Sequence, residues 1–309
     1  MGTSLRLPKP SKAPVQAAGA ESLVVGGLLT WYAAAARELP WRDPEASPWA
    51  VLVSEIMLQQ TPVARVLPAY AAWVDRWPTP AALAAAAPGD AVRAWGRLGY
   101  PRRALRLHAA ATTIVGSHGG EVPSDYTSLR ALPGVGDYTA AAVAAFAFRQ
   151  RQVVLDTNVR RVLARAFAGV VCAPTAVSVA ERKVLEELLP DDDERAATFS
   201  VALMELGALI CRAGEPDCGA CPLAARCAWR ARGYPKSTTP ARRSPGYEGT
   251  DRQARGVVLA ALRSDIRPVR RAQLLRAWTD GVQLDRAIDG LVADGLIEPV
   301  AGGRFRLPT

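Results

Sequence analysis

Apolar residues recur at three- and four-residue spacing from Glu21 to about Trp229, and Pro or Gly cuts this stretch into segments. The segments that read as helices are Leu23–Leu39, Trp49–Gln60, Val63–Trp77, Thr79–Ala86, Asp90–Leu98, Arg102–His118, Thr139–Phe148, Asn158–Phe167, Ser178–Leu188 and Arg195–Cys211. Convincing two-residue alternation is scarce, so the pattern predicts an all-α body with short connections. Residues 229 to about 256 then carry seven Arg or Lys against two acids, with Pro235, Pro240 and Pro245, and read as a basic linker centred on 231–250. Beyond it, RQARGVVLAALRSD, RRAQLLRAW and LDRAIDGLVADGLI read as helices, and IEPVAGGRFRLP reads as a hairpin turning at Ala301–Gly303. Three helices followed by a hairpin give residues 251–309 a winged-helix-like order. Such modules serve protein contacts as well as DNA. The first twenty residues hold Arg6, Lys9, Lys12 and three prolines without an acid, and read as a loose basic tail.

Composition narrows the picture. A chain of 309 residues, half of them hydrophobic and 22% charged, builds a core without staples. Lys and Arg number 38 against 29 acids, a formal charge of +9, which suits either a polyanionic partner such as nucleic acid or a solvated basic surface. Five cysteines make no disulfide framework. No apolar signal segment opens the chain, and no run is long enough to span a bilayer, so a cytoplasmic protein without a membrane partner is expected.

Four features carry chemistry. Cys211-x6-Cys218-x2-Cys221-x5-Cys227 places four thiolates within seventeen residues. All-sulfur ligation fits zinc or an iron–sulfur cluster, and the spacing alone leaves both open. The two histidines, His108 and His118, lie far upstream, which disfavours a mixed site. Arg212, Arg226, Arg230 and Arg232 surround the cysteines and could meet phosphate, whereas Cys172, among Val170, Val171 and Ala173, reads as a small core residue. Leu132-Pro133-Gly134-Val135-Gly136 opens an apolar helix. It is either a phosphate-binding turn, with Gly134 and Gly136 admitting a backbone, or an ordinary helix–helix turn. Asp156, between an apolar run and a helix, reads as an N-cap whose carboxylate is thereby oriented. Glu55 has Leu52 and Leu58 on the same helical face. A carboxyl on an apolar stripe is expected to hold its proton and to serve as a general acid, while the bland reading is a solvated glutamate.

At these residues the sequence resembles the helix-hairpin-helix glycosylase superfamily, and within it the MutY adenine glycosylases. The resemblance covers about residues 22–230 and rests on LPWR (39–42), SEIMLQQT (54–61), LGY (98–100), LPGVG (132–136), LDTNVRRVLAR (155–165), MELGALIC (204–211) and the cysteine spacing, all in the family's order. It implies a two-lobed fold, with a six-helix barrel over 48–148 and a cluster lobe from 21–47 and 149–230. It also implies a [4Fe–4S] cluster on Cys211, Cys218, Cys221 and Cys227, and a monomer acting on double-stranded DNA with a mispaired adenine. By the same resemblance, Glu55 protonates the adenine ring and Asp156 stabilises the cation developing on the sugar, while Tyr138 and Asn158 orient the site. Trp41 and Arg42 lie near the adenine pocket, and Gln60, Thr61, Leu98 and Tyr100 probe the opposing base and wedge the stack.

The related endonuclease III enzymes carry a strand-cleaving lysine two residues after the second hairpin glycine. Tyr138 stands there in this chain, which implies base removal without an efficient lyase step. A glycosylase–lyase acting on oxidised pyrimidines and a non-catalytic DNA-binding relative are the competing readings. Three departures from the family pattern stand out. The usual C-terminal reader of 8-oxoguanine has no match here, Pro101 follows Tyr100 where a second tyrosine is usual, and Val201 replaces an adenine-contacting Gln or Glu.

Overall fold

The computed structural model describes residues 17–236 and 246–309. Most of the expected basic tail and the centre of the expected linker lie outside the described residues. The helices are α1 (Ala17–Ala35), α2 (Pro48–Leu58), α3 (Val63–Arg76), α4 (Pro80–Ala84), α5 (Pro88–Trp95), α6 (Arg102–Ser117), α7 (Tyr126–Ala131), α8 (Asp137–Phe148), α9 (Thr157–Leu163), α10 (Val179–Leu188), α11 (Asp193–Leu209), α12 (Ala228–Ala231), α13 (Asp251–Ser264), α14 (Arg271–Ala277) and α15 (Gly281–Ala293). Three short strands, β1 (Val269–Arg270), β2 (Glu298–Val300) and β3 (Arg304–Arg306), complete the chain. No helix among the described residues is long and apolar enough to cross a membrane.

Helix boundaries follow local chemistry. Pro48, Pro80 and Pro88 open α2, α4 and α5, where a missing N–H costs nothing. Ser47, Thr79, Asp125, Asp156 and Asp192 accept a backbone N–H from the first turn of α2, α4, α7, α9 and α11. Ser178 and Glu181 form a reciprocal capping box on α10. The sequence reading passes over α7, because six residues are too few to show a period. The helix expected to reach Phe167 stops at Leu163 and continues as a π-helical turn over Ala164–Ala168, ended by Gly169 at φ 68°.

The chain divides into two compact units. One comprises Glu38–Val154 together with the described residues from 246 onward. Here α2 is buried on all sides from Trp49 to Met57, Ser54 and Glu55 included. It packs against α8, whose Ala140, Ala142 and Ala144 are fully buried and let the two backbones approach closely. Trp73, Trp77 and Trp95 belong to this core and meet edge-on at 4.7 and 5.6 Å.

The C-terminal helices and hairpin share that core. Val258, Leu262, Leu284, Ile288, Leu291 and Leu307 belong to the same apolar cluster as Trp95 and Leu107. The sheet order is β1-β3-β2, all antiparallel, with Val269 opposite Phe305 and Val300 opposite Arg304. The seam is also closed by backbone. The Gly89 N–H donates to the Pro308 carbonyl at 2.8 Å, and a Cβ on Gly89 would stand 2.4 Å from that oxygen. Two arginines are exchanged across the seam: Arg93 donates to the carbonyls that end α13, and Arg263 donates to the carbonyls of Val92, at 2.9 Å, and Gly96. Burial pushes the Arg263 guanidinium down to about 10, so it keeps its charge at neutral pH.

The other unit comprises the described residues up to Arg37 and 155–236. Here α1 and α9 each pack on α11. The Arg37 side chain grips the fully buried Glu205 carboxylate through two bonds of 2.6 and 2.7 Å. Cys172, expected in the core, is exposed. Its short apolar run lies in the loop after the π-helical turn, where Val170 is exposed as well, and no periodic element turns that run inward.

Candidate active site and cysteine pocket

In the unit that starts at Glu38, Glu55 sits within α2 and is only 5% exposed. Tyr138, on the first turn of α8, donates its hydroxyl to Glu55 Oε2 at 3.0 Å. The α2–α8 packing therefore brings together two residues 83 positions apart. Gln59, which the sequence reading did not single out, ties the same two helices: its amide donates to Thr139 Oγ1 at 3.2 Å and to the Gly134 carbonyl at 3.4 Å.

The glycine turn has the geometry its two glycines permit. Gly134 lies at φ 81°, and a Cβ there would meet the Arg106 side chain at 2.8 Å. Gly136 is the N-cap of α8, exposed, with open space where a Cβ would project. Asp137 is held by Arg130 at 2.6 Å and by the Tyr126 hydroxyl at 3.3 Å.

Of the residues expected to meet DNA, Gln60 and Tyr100 are exposed, at φ 56° and 46°, while Thr61 and Leu98 are buried beneath them. The Thr61 hydroxyl donates to the Leu98 carbonyl at 3.3 Å, so the segments that carry the two exposed side chains are tied together. Trp41 is buried edge-on against Tyr70 at 5.1 Å, and Arg42 closes the short helical turn Pro40–Arg42. Pro101 opens the approach to α6 as its N-cap.

In the other unit, Asp156 caps α9 through Oδ1, which accepts the Val159 N–H at 2.6 Å, while Oδ2 accepts the Asn158 amide at 2.7 Å. Burial raises the Asp156 pKa, and the Val159 and Asn158 hydrogen bonds and the Arg161 charge oppose that rise without cancelling it. Asn158 Oδ1 in turn accepts from Arg161 Nη2 at 2.7 Å, and Arg161 Nε donates to the Cys211 carbonyl at 2.7 Å. A continuous hydrogen-bonded chain thus runs from the Asp156 carboxylate to the backbone of the first cysteine. Gly207 is required beneath it, because a Cβ there would stand 2.7 Å from Asn158 Cβ. Val201, on α11, is buried.

Cys211, Cys218, Cys221 and Cys227 line one pocket together with Arg165 and Trp229. Among the described residues no three Cys, His, Asp or Glu side chains gather tightly enough to hold a metal ion, and what the four cysteines share is the lining of this one pocket. Burial pushes the Cys221 thiol up to about 11 and raises that of Cys211, so thiolates here require nearby positive charge. Arg165, 3% exposed, supplies part of it: it donates to the Arg212 carbonyl at 2.7 Å, lies 3.5 Å from Cys211 Sγ, and stacks 4.8 Å from the Trp229 ring centroid. Arg161 and Arg165 were missed by the sequence reading. The available signal was their four-residue spacing on one helix face ahead of the cysteines. Arg212, Arg226, Arg230 and Arg232 are exposed around the pocket.

The family model that matches, over residues 53–182, is the HhH-GPD superfamily of base excision DNA repair proteins. An adenine DNA glycosylase of Mycobacterium tuberculosis is 53% identical over 303 residues, covering 98% of this chain and 97% of the relative. One from Mycolicibacterium smegmatis is 53% identical over 281 residues, covering 91% and 94%. The human adenine DNA glycosylase is 41% identical over 216 residues, covering 67% of this chain and 39% of its own length. Among solved structures, a thermostable thymine-DNA glycosylase superposes with a TM-score of 0.61 at 26% identity, covering 69% of this chain and 97% of that one. An endonuclease III trapped covalently on DNA gives 0.57 at 24% identity, covering 68% and 94%, a likeness of fold. With the family model matched and a relative of this identity aligned along nearly its whole length, the chain belongs to the MutY-type adenine DNA glycosylases of the endonuclease III superfamily, hydrolases of N-glycosyl bonds.

Proposed function

We propose that this protein flips a mispaired adenine out of double-stranded DNA, hydrolyses its bond to the sugar, and leaves the abasic strand intact, with 8-oxoguanine or guanine as the opposing base. The observation that carries this reading is the buried Glu55 carboxyl with the Tyr138 hydroxyl on it. A carboxyl kept from bulk water beside a hydroxyl is suited to deliver a proton to a ring nitrogen, which makes adenine a leaving group. Asp156, oriented by two hydrogen bonds, supplies the second carboxylate of glycosidase chemistry, stabilising the positive charge that grows on the sugar. Asn158 fixes the direction of that carboxylate, and Tyr138 orients Glu55.

Tyr138 also decides what does not follow. A phenol forms no Schiff base with an abasic sugar, so strand scission by β-elimination lacks its nucleophile. The exposed Gly136 N-cap and the Gly134 turn form the phosphate-binding end of α8. Exposed Gln60 and Tyr100 fill the gap left by the extruded base, offsetting part of an unstacking cost of a few kcal/mol. Trp41 and Arg42 border the adenine pocket.

The four cysteines fit a [4Fe–4S] cluster. The donor set is all sulfur, the four cysteines line one pocket, and the charges of Arg165, 3.5 Å from Cys211 Sγ, and of Arg161 favour the Cys211 thiolate. Bound to Cys211, Cys218, Cys221 and Cys227, the cluster would supply ordering of the loop over 211–227 and a local charge, and no bond-making step. On this reading the two compact units are the six-helix barrel and the cluster lobe of the family, acting as a monomer.

Single-turnover reactions on duplexes with adenine opposite 8-oxoguanine and opposite thymine test the reading, each divided between neutral quench and hot alkali. Product only from the first duplex, and only after alkali, is expected. A borohydride-trapped covalent complex, or excision confined to oxidised pyrimidines, would replace this reading with that of a glycosylase–lyase.

A further inference from the structure

Arg103, on the first turn of α6, carries a charge yet is only 5% exposed, and no carboxylate pairs with it among the described residues. Its guanidinium is spent on neutral acceptors. Nη1 donates to the carbonyls of Ile56 at 3.0 Å, Met57 at 2.9 Å and Gln59 at 2.5 Å, all at the C-terminal end of α2. Nη2 donates to Thr61 Oγ1 at 2.8 Å and the Gly99 carbonyl at 3.0 Å, and Nε reaches the Tyr100 carbonyl at 3.4 Å. The same group lies over two rings, 5.1 Å from the Trp95 centroid and 5.5 Å from that of Tyr100. Burial lowers its pKa to about 10, which leaves it protonated at neutral pH, and the negative end of the α2 dipole favours that charge.

Burying a charge without a counterion is costly, and an apolar side chain would fill such a space at less expense. What an apolar side chain could not do is join the two segments that meet here. Each presents an exposed, non-glycine residue in the left-handed region, Gln60 at φ 56° and Tyr100 at φ 46°. Neither conformation is favoured by its own residue type, so each must be imposed from outside. The carbonyls flanking both turns converge on one planar fork of donors, which has the fixed geometry to impose them.

We infer that Arg103 is a positioning residue that locks the Gln59–Thr61 and Gly99–Tyr100 turns into a single rigid probe, fixing the spacing at which Gln60 and Tyr100 enter the base stack. This rests on the reading of Gln60 and Tyr100 as DNA-probing side chains given above. Because Arg103 also touches the last carbonyls of α2, the helix that carries Glu55, probe and acid share one anchor.

A double-mutant cycle tests it, using Arg103→Lys, Tyr100→Ala and the pair, each measured for single-turnover excision of adenine opposite 8-oxoguanine and for thermal unfolding. Lysine keeps the charge but offers a point in place of a fork. Arg103→Lys is expected to slow excision about tenfold or more with a melting midpoint within a few degrees of wild type, and to slow it less than threefold once Tyr100 is already alanine. The same tenfold loss in both backgrounds, or no loss in either, would overturn the inference. Should Arg103→Lys not fold, Thr61→Val removes one acceptor of the fork and is expected to show the same background-dependent loss at smaller size. An active wild-type enzyme with insensitive variants sinks only this inference, whereas an inactive wild type sinks the proposed activity as well.

Discussion

Gly207→Ala isolates the packing that supports Asp156. In an ordinary helix interior, replacing glycine with alanine stabilises by about 1 kcal/mol, because alanine loses less backbone freedom. Gly207 lies within α11 and is buried, so propensity alone predicts a tougher protein. Packing predicts the reverse. The new methyl would stand 2.7 Å from Asn158 Cβ, 2.8 Å from the Asn158 carbonyl oxygen and 2.9 Å from its carbon. Two of those three atoms are backbone, so no rotamer change relieves the contact. Carbon atoms need about 3.5 Å, so α9 must retreat by roughly 0.8 Å.

Overpacking of this kind costs about 1–3 kcal/mol, which exceeds or cancels the propensity gain. A net loss of about 1 kcal/mol lowers the melting midpoint by roughly 2–4 °C. The larger effect is on chemistry. The retreating segment carries the Asn158 that orients Asp156 and the Asn158–Arg161 contact, and a misplacement approaching 1 Å costs up to about a hundredfold in rate. Single-turnover excision should fall by roughly ten- to a hundredfold, while the dissociation constant for duplex without a target adenine stays within a factor of about three. A raised melting midpoint with an unchanged excision rate would show that α9 yields freely and that the support assigned to Gly207 is wrong.

Replacing Glu55 with glutamine removes the proposed proton donor, and the single-turnover rate is expected to fall by about 10²–10⁴ while the fold is kept; a fall under threefold would reassign the acid. Because burial raises the Asp156 pKa, the acid limb of the rate profile should lie above the ordinary aspartate value of about 3.9. Linkage gives the matching sign for stability: the folded state holds this proton longer than the unfolded chain, so Asp156 costs stability as the pH rises from about 3.9 through its folded pKa. A rate profile flat down to pH 4 would contradict both. Gly89→Ala forces a Cβ against the Pro308 carbonyl and should open residues 246–309 to limited proteolysis ahead of residues 38–154; unchanged digestion would show that the seam tolerates it. Replacing Arg165 with methionine removes its hydrogen bonds to the Val171 and Arg212 carbonyls and its charge beside Cys211, and is expected to reduce the iron bound per chain in purified protein, measured by metal analysis.

Much of this protein was already present in its pattern of residues. Helix positions were readable because a buried helix face repeats every three to four residues, and starts were readable because Pro48, Pro80, Asp156 and Ser178 act on their own first turns. Glu55, Tyr138, Asp156, Asn158 and the four cysteines stood out because their chemistry is tied to motifs a few residues long. Tertiary structure decided whatever depended on partners distant in sequence. It placed the Tyr138 hydroxyl on Glu55, across 83 residues, by packing α8 on α2. It joined Asp156 to Cys211 through Asn158 and Arg161, and it merged the C-terminal helices with the core of residues 38–154 through Gly89, Arg93 and Arg263. Above all it separated Arg103, Arg161, Arg165 and Arg263 from the other arginines. In composition each is one more positive charge on a basic chain. Only burial, which strips water from a guanidinium and forces it to find carbonyls, distinguishes the few that hold loops in place from the many that face solvent.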